Sequence, residues 1–122
     1  MKDLLLVCIG SFWGGGARYL VGKIVLSLMP ISFPWGTMIV NVIGCFIIGL
    51  LSGLSFGGRI SSSAKLILVT GFCGGFTTFS TFMNENFLLE RDGAIISAIL
   101  YTLASFALGL IAVILGYQIV KL

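Results

Sequence analysis

The chain alternates long apolar stretches with short polar breaks. Four apolar segments, at about residues 4–29, 35–56, 65–89 and 94–120, are each long enough for a transmembrane helix, which needs roughly 20 residues. The first break, "MPISFP", holds both prolines, and "GGRISSSAK" and "ERDG" are polar or charged. Because all three breaks are short, successive helices are expected to run antiparallel. The pattern predicts an all-α integral membrane protein, with residues 1–122 forming a single four-helix transmembrane domain.

Composition supports lipid as the solvent of this chain. It is 58% hydrophobic and 9% charged, with a mean hydropathy of +1.17, and a soluble chain of this length could not cover so much apolar surface. Met1-Lys2-Asp3 leads straight into a long apolar run, so no separate signal peptide is predicted. The net charge of +3 is ordinary for a small membrane protein and gives no indication of nucleic acid.

Several classes of chemistry are disfavoured. Histidine is absent, which excludes imidazole catalysis and His-ligated metals. The three cysteines are odd in number and lie in apolar segments, which favours packed free thiols over disulfides or zinc. With no nucleophile–base pair and no soluble domain, an enzyme is the least favoured class.

Glycine pairs indicate close helix packing. Gly10 with Gly14, and Gly49 with Gly53, are small residues one turn apart, a spacing that lets membrane helices approach closely. A bundle of four helices is thin, and a single copy has too few helices to shield a polar pathway from lipid. A dimer or larger assembly is therefore expected.

Arg18 is embedded in the first span, where an arginine costs at least ~2.5 kcal/mol unless it meets water, backbone carbonyls or an anion. One interpretation is a side chain that snorkels to the interface beside Lys23. The other is an electropositive vestibule that gathers anions. The sequence leaves both open.

Neutral polar residues recur inside the spans. Asn41 lies well inside the second span, with Thr37 one turn before it on the same face. An asparagine there is either interhelical glue or a neutral N–H donor for an anion. Ser97, Tyr101 and Ser105 form a hydroxyl stripe on the fourth span.

Carboxylates are scarce at membrane depth. Only Glu85, near the end of span three, lies within a span, and the first span has no deep acid. A small dual-topology exporter of cationic drugs would need such an acid, so that alternative is weakened. A non-transporting membrane assembly subunit, in which the polar residues are glue, is the other alternative.

The segment "GFCGGFTTFSTF" at 71–82 interrupts the third apolar stretch. Each glycine weakens a helix by roughly 1 kcal/mol relative to alanine, and the hydroxyls of Thr77 and Thr78 can bond the freed backbone. Non-helical backbone at this depth is tolerated only in protein or beside a watery cavity. We therefore expect two half-helices with a mid-membrane break near 74–78. Exposed carbonyls there would suit a small hard cation, and exposed N–H groups an anion.

Three rings follow at helical spacing. Phe76, Phe79 and Phe82 are predicted to point roughly one way. They form either a packed stripe or a lining whose positive ring edges hold a small anion weakly. Ser80 and Thr81, on neighbouring faces, would add O–H donors.

These motifs resemble those of the Fluc (CrcB-type) fluoride channel family. The resemblance covers the whole chain and is carried by "GGGARY", "GTMIVNVIGCFIIGL" and, above all, "GFCGGFTTFSTF" followed by Glu85. It implies a passive fluoride-selective channel of the cell membrane that exports cytoplasmic fluoride. It also implies an antiparallel, dual-topology homodimer with two anion pathways.

The resemblance further implies roles for individual residues. Phe79 and Phe82 would form an aromatic box, and Ser80 and Thr81 a polar track towards Glu85. Arg18 would lie near the vestibule, and a structural sodium ion would bind carbonyls matching Gly74 and Thr77. The pore-facing positions on the other two spans would be Asn41, with Thr37 beside it, and Tyr101 and Ser105.

Overall fold

Four long helical spans form the protein in a computed structural model that describes residues 1–29 and 32–121. Pro30 and Ile31, in the first predicted break, and Leu122 lie outside the described residues. The helical spans are α1 (Lys2–Leu28), α2 (Trp35–Phe56), a third span (Ser62–Arg91) and a last helix (Ile95–Lys121). Within this described part, each of the four is long and apolar enough to cross a membrane, which confirms the four predicted spans.

The third span is not one regular helix. It begins as α3 (Ser62–Lys65), continues as π-helix over Leu66–Cys73 and ends its first half as α4 (Gly74–Phe76). Residues 77–79 are non-helical, and α5 (Ser80–Arg91) follows. The last helix, Ile95–Lys121, is α6.

Two threonine hydroxyls bond the backbone on either side of residues 77–79. Thr77, whose backbone is extended (φ −91°, ψ 159°), donates its Oγ1 hydroxyl to Cys73 O at 2.8 Å. Thr78 Oγ1 accepts the Thr81 N–H at 3.2 Å. The Thr78 hydroxyl thus replaces the helical acceptor of the Thr81 N–H, as expected. The Thr77 hydroxyl instead adds a second bond to Cys73 O, which keeps its helical donor, the Thr77 N–H, at 3.0 Å.

The glycine pairs lie where helices touch backbone to backbone. A Cβ at Gly10 would strike Ile67 O, and one at Gly14 would strike Phe72 O, so α1 lies directly against the first half of the third span. A Cβ at Gly49 would likewise strike Val113 O, where α2 packs along α6. The predicted role of these glycines in close packing is confirmed.

A small apolar cluster joins the second half of the third span to the rest. Met38 of α2, Phe82 of α5 and Tyr101 of α6 are buried together. Many large apolar side chains on α1 and α6 are exposed in the protomer, such as Phe12, Trp13 and Leu103. That distribution suits a chain surrounded by lipid or by another copy rather than by water.

The three rings at 76, 79 and 82 do not share a direction, and that prediction was wrong. Phe76 is 3% exposed and stacks on Phe72 at 5.6 Å between ring centroids, whereas Phe79 is 68% exposed. Phe82, at 4% exposure, packs against Tyr101 on another helix. Helical spacing does not apply across residues 77–79, because the extended backbone at Thr77 changes the direction of the chain.

Candidate functional site

Asn41 is paired with the backbone of the non-helical segment. Its Nδ2 donates to Thr78 O at 3.0 Å, and its Oδ1 accepts the Thr78 N–H at 2.9 Å. A side-chain amide matches a peptide group in this way because each offers one donor and one acceptor. Asn41 thus bonds α2 to the third span, and its second N–H is not used by this pair.

Glu85 receives two hydrogen bonds from neighbouring helices. Tyr101 of α6 donates its hydroxyl to Oε1 at 2.8 Å, and Thr37 of α2 donates to Oε2 at 3.0 Å. Tyr101 is fully buried, while Thr37 and Glu85 are half-buried. Three residues that the sequence placed separately along a pathway therefore form one cluster at the meeting point of α2, α5 and α6.

The proposed aromatic pair lies at the start of α5. The centroids of Phe79 and Phe82 are 6.2 Å apart with the rings tilted by 43°. Phe82 is buried against α6, and Phe79 projects from the protomer surface. Ser80 is exposed and Thr81 is half-buried, so the two hydroxyls lie in different surroundings.

Arg18 meets both the third span and a large cavity. Its Nε donates to Gly75 O at 3.1 Å, so a backbone carbonyl is one of its partners. The cavity, about 940 Å³, lies between α1, α2 and α5, and Thr37, Thr81 and Glu85 also line it. Lys23 and Asp92 bring the lining to two cations and two carboxylates, so its charge is mixed rather than uniformly positive.

The remaining candidate residues differ in burial. Ser105 Oγ is buried, and it has no hydrogen-bond partner among the residues that the structure describes. Gly74 is exposed and Thr77 is half-buried. The Thr78 N–H, which would bond Gly74 O in a continuous α-helix, donates to Asn41 instead.

The sequence matches, over residues 5–117, the family described as "CrcB-like protein, Camphor Resistance (CrcB)". The chain belongs to the CrcB family. Together with its four helices of membrane-spanning length, this membership makes it a multi-pass membrane protein.

Curated relatives of this CrcB-family chain are similar over almost their whole length. A protein of Chlorobium phaeobacteroides (strain BS1) is 48% identical over 120 residues, which cover 98% of this chain and 93% of the relative. One from Chlorobaculum tepidum is 46% identical, with 100% and 97% covered, and one from Thermus thermophilus is 41% identical, with 98% and 95% covered. All three are named "Fluoride-specific ion channel FluC".

Sequence reasoning missed one polar pair near the aromatic residues of this CrcB-family protein. Thr102 of α6 donates its hydroxyl to Asn86 Oδ1 at 2.8 Å, and Asn86 Nδ2 donates to Phe82 O at 3.0 Å. The signal available was the spacing of Phe82 and Asn86, one helical turn apart. The partner on α6 could not be read from the chain, because it depends on how α5 and α6 pack.

Proposed function

We propose that this protein is a passive, fluoride-selective channel that carries fluoride out of the cytoplasm. The carrying observation is near-full-length similarity to proteins named fluoride-specific ion channels. Those relatives are channels by name, which also speaks against an enzyme. The site adds a physical basis, since neutral amide, hydroxyl and aromatic groups gather around one interruption of a membrane helix.

The proposed pathway uses donors without fixed positive charge. The edges of Phe79 and Phe82 carry partial positive charge and hold a small anion weakly. Ser80 and Thr81 offer O–H donors beside the rings, and Ser105 offers a buried hydroxyl without a described partner. Asn41 contributes its unused N–H. Weak sites of this kind let an ion enter and also leave, as conduction requires.

The cavity beside Arg18 is the proposed entrance. Arg18 and Lys23 attract an anion from solution, while Thr37 and Thr81 lead from the cavity towards the helix interruption. Glu85 lies in the same lining, with both carboxylate oxygens engaged by Thr37 and Tyr101. Two hydrogen bonds spread its charge, which reduces its repulsion of an approaching anion.

An antiparallel homodimer completes the proposed channel. Phe79, 68% exposed, belongs to the non-helical segment 77–79 yet lies on the protomer surface, and Gly74, at the start of α4 just before that segment, is also exposed. Non-helical backbone at membrane depth needs protein or water around it rather than lipid. A second copy that crosses this segment at mid-membrane supplies that cover and generates two equivalent pathways.

A structural sodium ion at the helix interruption is part of the proposal. Gly74 O loses its helical donor to Asn41, and Thr77 is extended, so both carbonyls are available as ligands in this chain. Carbonyl oxygens suit a hard cation. The ion would sit between the two copies and hold the interrupted segments together.

The physiology follows from acid–base chemistry. Hydrogen fluoride crosses lipid when neutral and ionises in a near-neutral cytoplasm, where fluoride accumulates. An inside-negative potential drives the anion out through a passive pore, at ~2.3 kcal/mol per charge per 100 mV. No coupled ion is needed, and export lowers fluoride toxicity.

Fluoride-electrode efflux from liposomes that contain the pure protein tests the function. We expect rapid fluoride release when a potassium ionophore balances charge, with little chloride release from matched vesicles. Protein-free liposomes are the control. Proton-coupled uptake of a cationic drug would support the exporter alternative, and absence of any flux would support an assembly subunit; either result contradicts the proposal.

A further inference from the structure

Helix α5 is held to the protomer by little apolar packing. Phe82 is the only buried residue in Ser80–Arg91. Leu89, which is half-buried, packs against the same apolar cluster. With only these two apolar contacts to the cluster, the orientation of the helix also depends on side-chain hydrogen bonds to its neighbours. One such tie joins Glu85 to Tyr101 and Thr37.

A second tie ends on Phe82 itself. The Thr102 hydroxyl donates to Asn86 Oδ1 at 2.8 Å, and the Asn86 amide donates to Phe82 O at 3.0 Å. Both bonds are half-buried. The Asn86 side chain thus accepts a hydrogen bond from α6 through Oδ1 and donates one through Nδ2 to the backbone carbonyl of Phe82. Asn86 directly follows Glu85 on α5, and Thr102 directly follows Tyr101 on α6. The two sets of hydrogen bonds between α5 and α6 therefore lie next to each other.

We propose that Asn86 and Thr102 are positioning residues that fix the Phe82 ring and thereby set anion selectivity. The proposal rests on the function proposed above. Without the Thr102 hydroxyl, Asn86 Oδ1 loses its donor, the amide is free to rotate, and the Phe82 carbonyl loses its side-chain partner. Selectivity that depends on a ring edge is sensitive to small displacements of that ring.

A competing interpretation is interhelical glue of the kind common in membrane proteins. If the pair only holds the helices together, its loss lowers the stability of the folded protein but leaves the preference between anions unchanged. Positioning changes the preference between anions in channels that are still folded. The ratio of fluoride to chloride permeability, measured from reversal potentials, separates the two.

The test uses Thr102→Val, which keeps the shape of the side chain and removes its donor. We expect the permeability ratio to fall about threefold to tenfold, the range that corresponds to one neutral hydrogen bond. Thr102→Ser should restore it. Ser27→Ala is the control, because the Ser27 hydroxyl is exposed and bonds only Ile24 O on its own helix. Asn86→Ala should match Thr102→Val, and the double variant should be no worse than the stronger single one.

Fluoride transport by the wild-type protein distinguishes a failure of the proposed channel function from a failure of the proposed positioning role. If the wild-type protein carries no fluoride, the proposed function fails. If it does, and Thr102→Val and Asn86→Ala keep the wild-type ratio, the positioning role is overturned. Additive effects in the double variant would also contradict it, since the two residues would then act independently. Loss of folded protein in both single variants would assign the pair to folding and overturn the proposal.

Discussion

At the residue scale, Asn41 has the most specific geometry. Its amide pairs with both polar groups of the Thr78 peptide, so a replacement must offer a donor and an acceptor on one short side chain. Asparagine meets that condition. Glutamine is one methylene longer, and aspartate has no donor when ionised.

Asn41→Asp should abolish most fluoride efflux. The carboxylate can still accept the Thr78 N–H, but it cannot donate to the half-buried Thr78 O, and a polar group left unpaired away from water costs about 1–3 kcal/mol. Its charge also repels an anion. Efflux from liposomes is the measurement, and Asn84→Asp, on the exposed face of α5, is the matched control. Near-normal efflux in Asn41→Asp would mean that Asn41 serves only in helix packing.

Substitutions of the two phenylalanines of the proposed aromatic box are expected to affect fluoride efflux and protein stability differently. Phe79→Ile removes a ring that is 68% exposed in the protomer, so efflux should fall with little change in the free energy of unfolding of the protomer. Phe82→Ile should lower both, because that ring is buried against Tyr101. Thermal unfolding in detergent and efflux are measured together.

Phe87→Ile, which changes an exposed ring on α5 outside the proposed box, is the control for the chemical change in both variants. Full efflux with isoleucine at 79 and 82 together would show that ring edges are not required. The proposal for the pathway would then have to rest on hydroxyls and amides alone.

At the element scale, close glycine contacts decide how the helices pair. Gly14→Ala places a methyl group against Phe72 O, and overpacking of this kind typically costs about 1–3 kcal/mol. Gly16→Ala lies on the same helix with no atom within 4 Å of the added Cβ, and it should be neutral or slightly stabilising. Thermal unfolding of the two variants is the comparison. Equal stability would mean that α1 can shift freely against the third span.

Much of the element scale was predictable from the sequence. The four spans follow from hydropathy, and the glycine pairs follow from their spacing. The bonds that the Thr77 and Thr78 hydroxyls make to the backbone follow from the composition of the segment, because glycines weaken a helix and neighbouring hydroxyls can bond its backbone groups. All of these properties are local or periodic, and local properties can be read along a chain.

Other features of the elements could not be read in this way. The π-helix at Leu66–Cys73 has a mostly apolar composition, which carries no signal for this rare type of helix. The directions of Phe76 and Phe82 depend on how the chain turns at Thr77. The partners of Asn41, Glu85 and Asn86 lie on other helices, so tertiary packing selects them.

At the scale of the whole molecule, sodium should be structural and not transported. Its proposed ligands are main-chain carbonyls of Gly74 and Thr77, whose positions are fixed by the fold. Fluoride efflux should persist against an opposing sodium gradient, and the reversal potential should follow the fluoride ratio alone. A reversal potential that moves with the sodium ratio would establish cotransport and refute this prediction.

The orientation of the protein in the membrane is weakly specified by charge. With four spans, the N-terminal end, the 57–61 loop and the C-terminal end share one side, which carries Lys2, Arg59, Lys65 and Lys121. The other side carries Lys23 and Arg91, with Arg18 embedded near it. Lysine and arginine placement normally sets topology. Four against two or three is a mild bias, so both orientations are compatible with the sequence.

An antiparallel homodimer requires both orientations in one membrane, which a single new cysteine can test. Ser62 is exposed at the start of α3 on the 57–61 side. In a variant with Cys8, Cys45 and Cys73 replaced by alanine, Ser62→Cys should label with an impermeant thiol reagent in about half of the copies on intact cells. Permeabilised cells give the total, and efflux shows that the cysteine-free protein is folded. Labelling of all copies or of none would rule out dual topology, because every chain would then have inserted the same way.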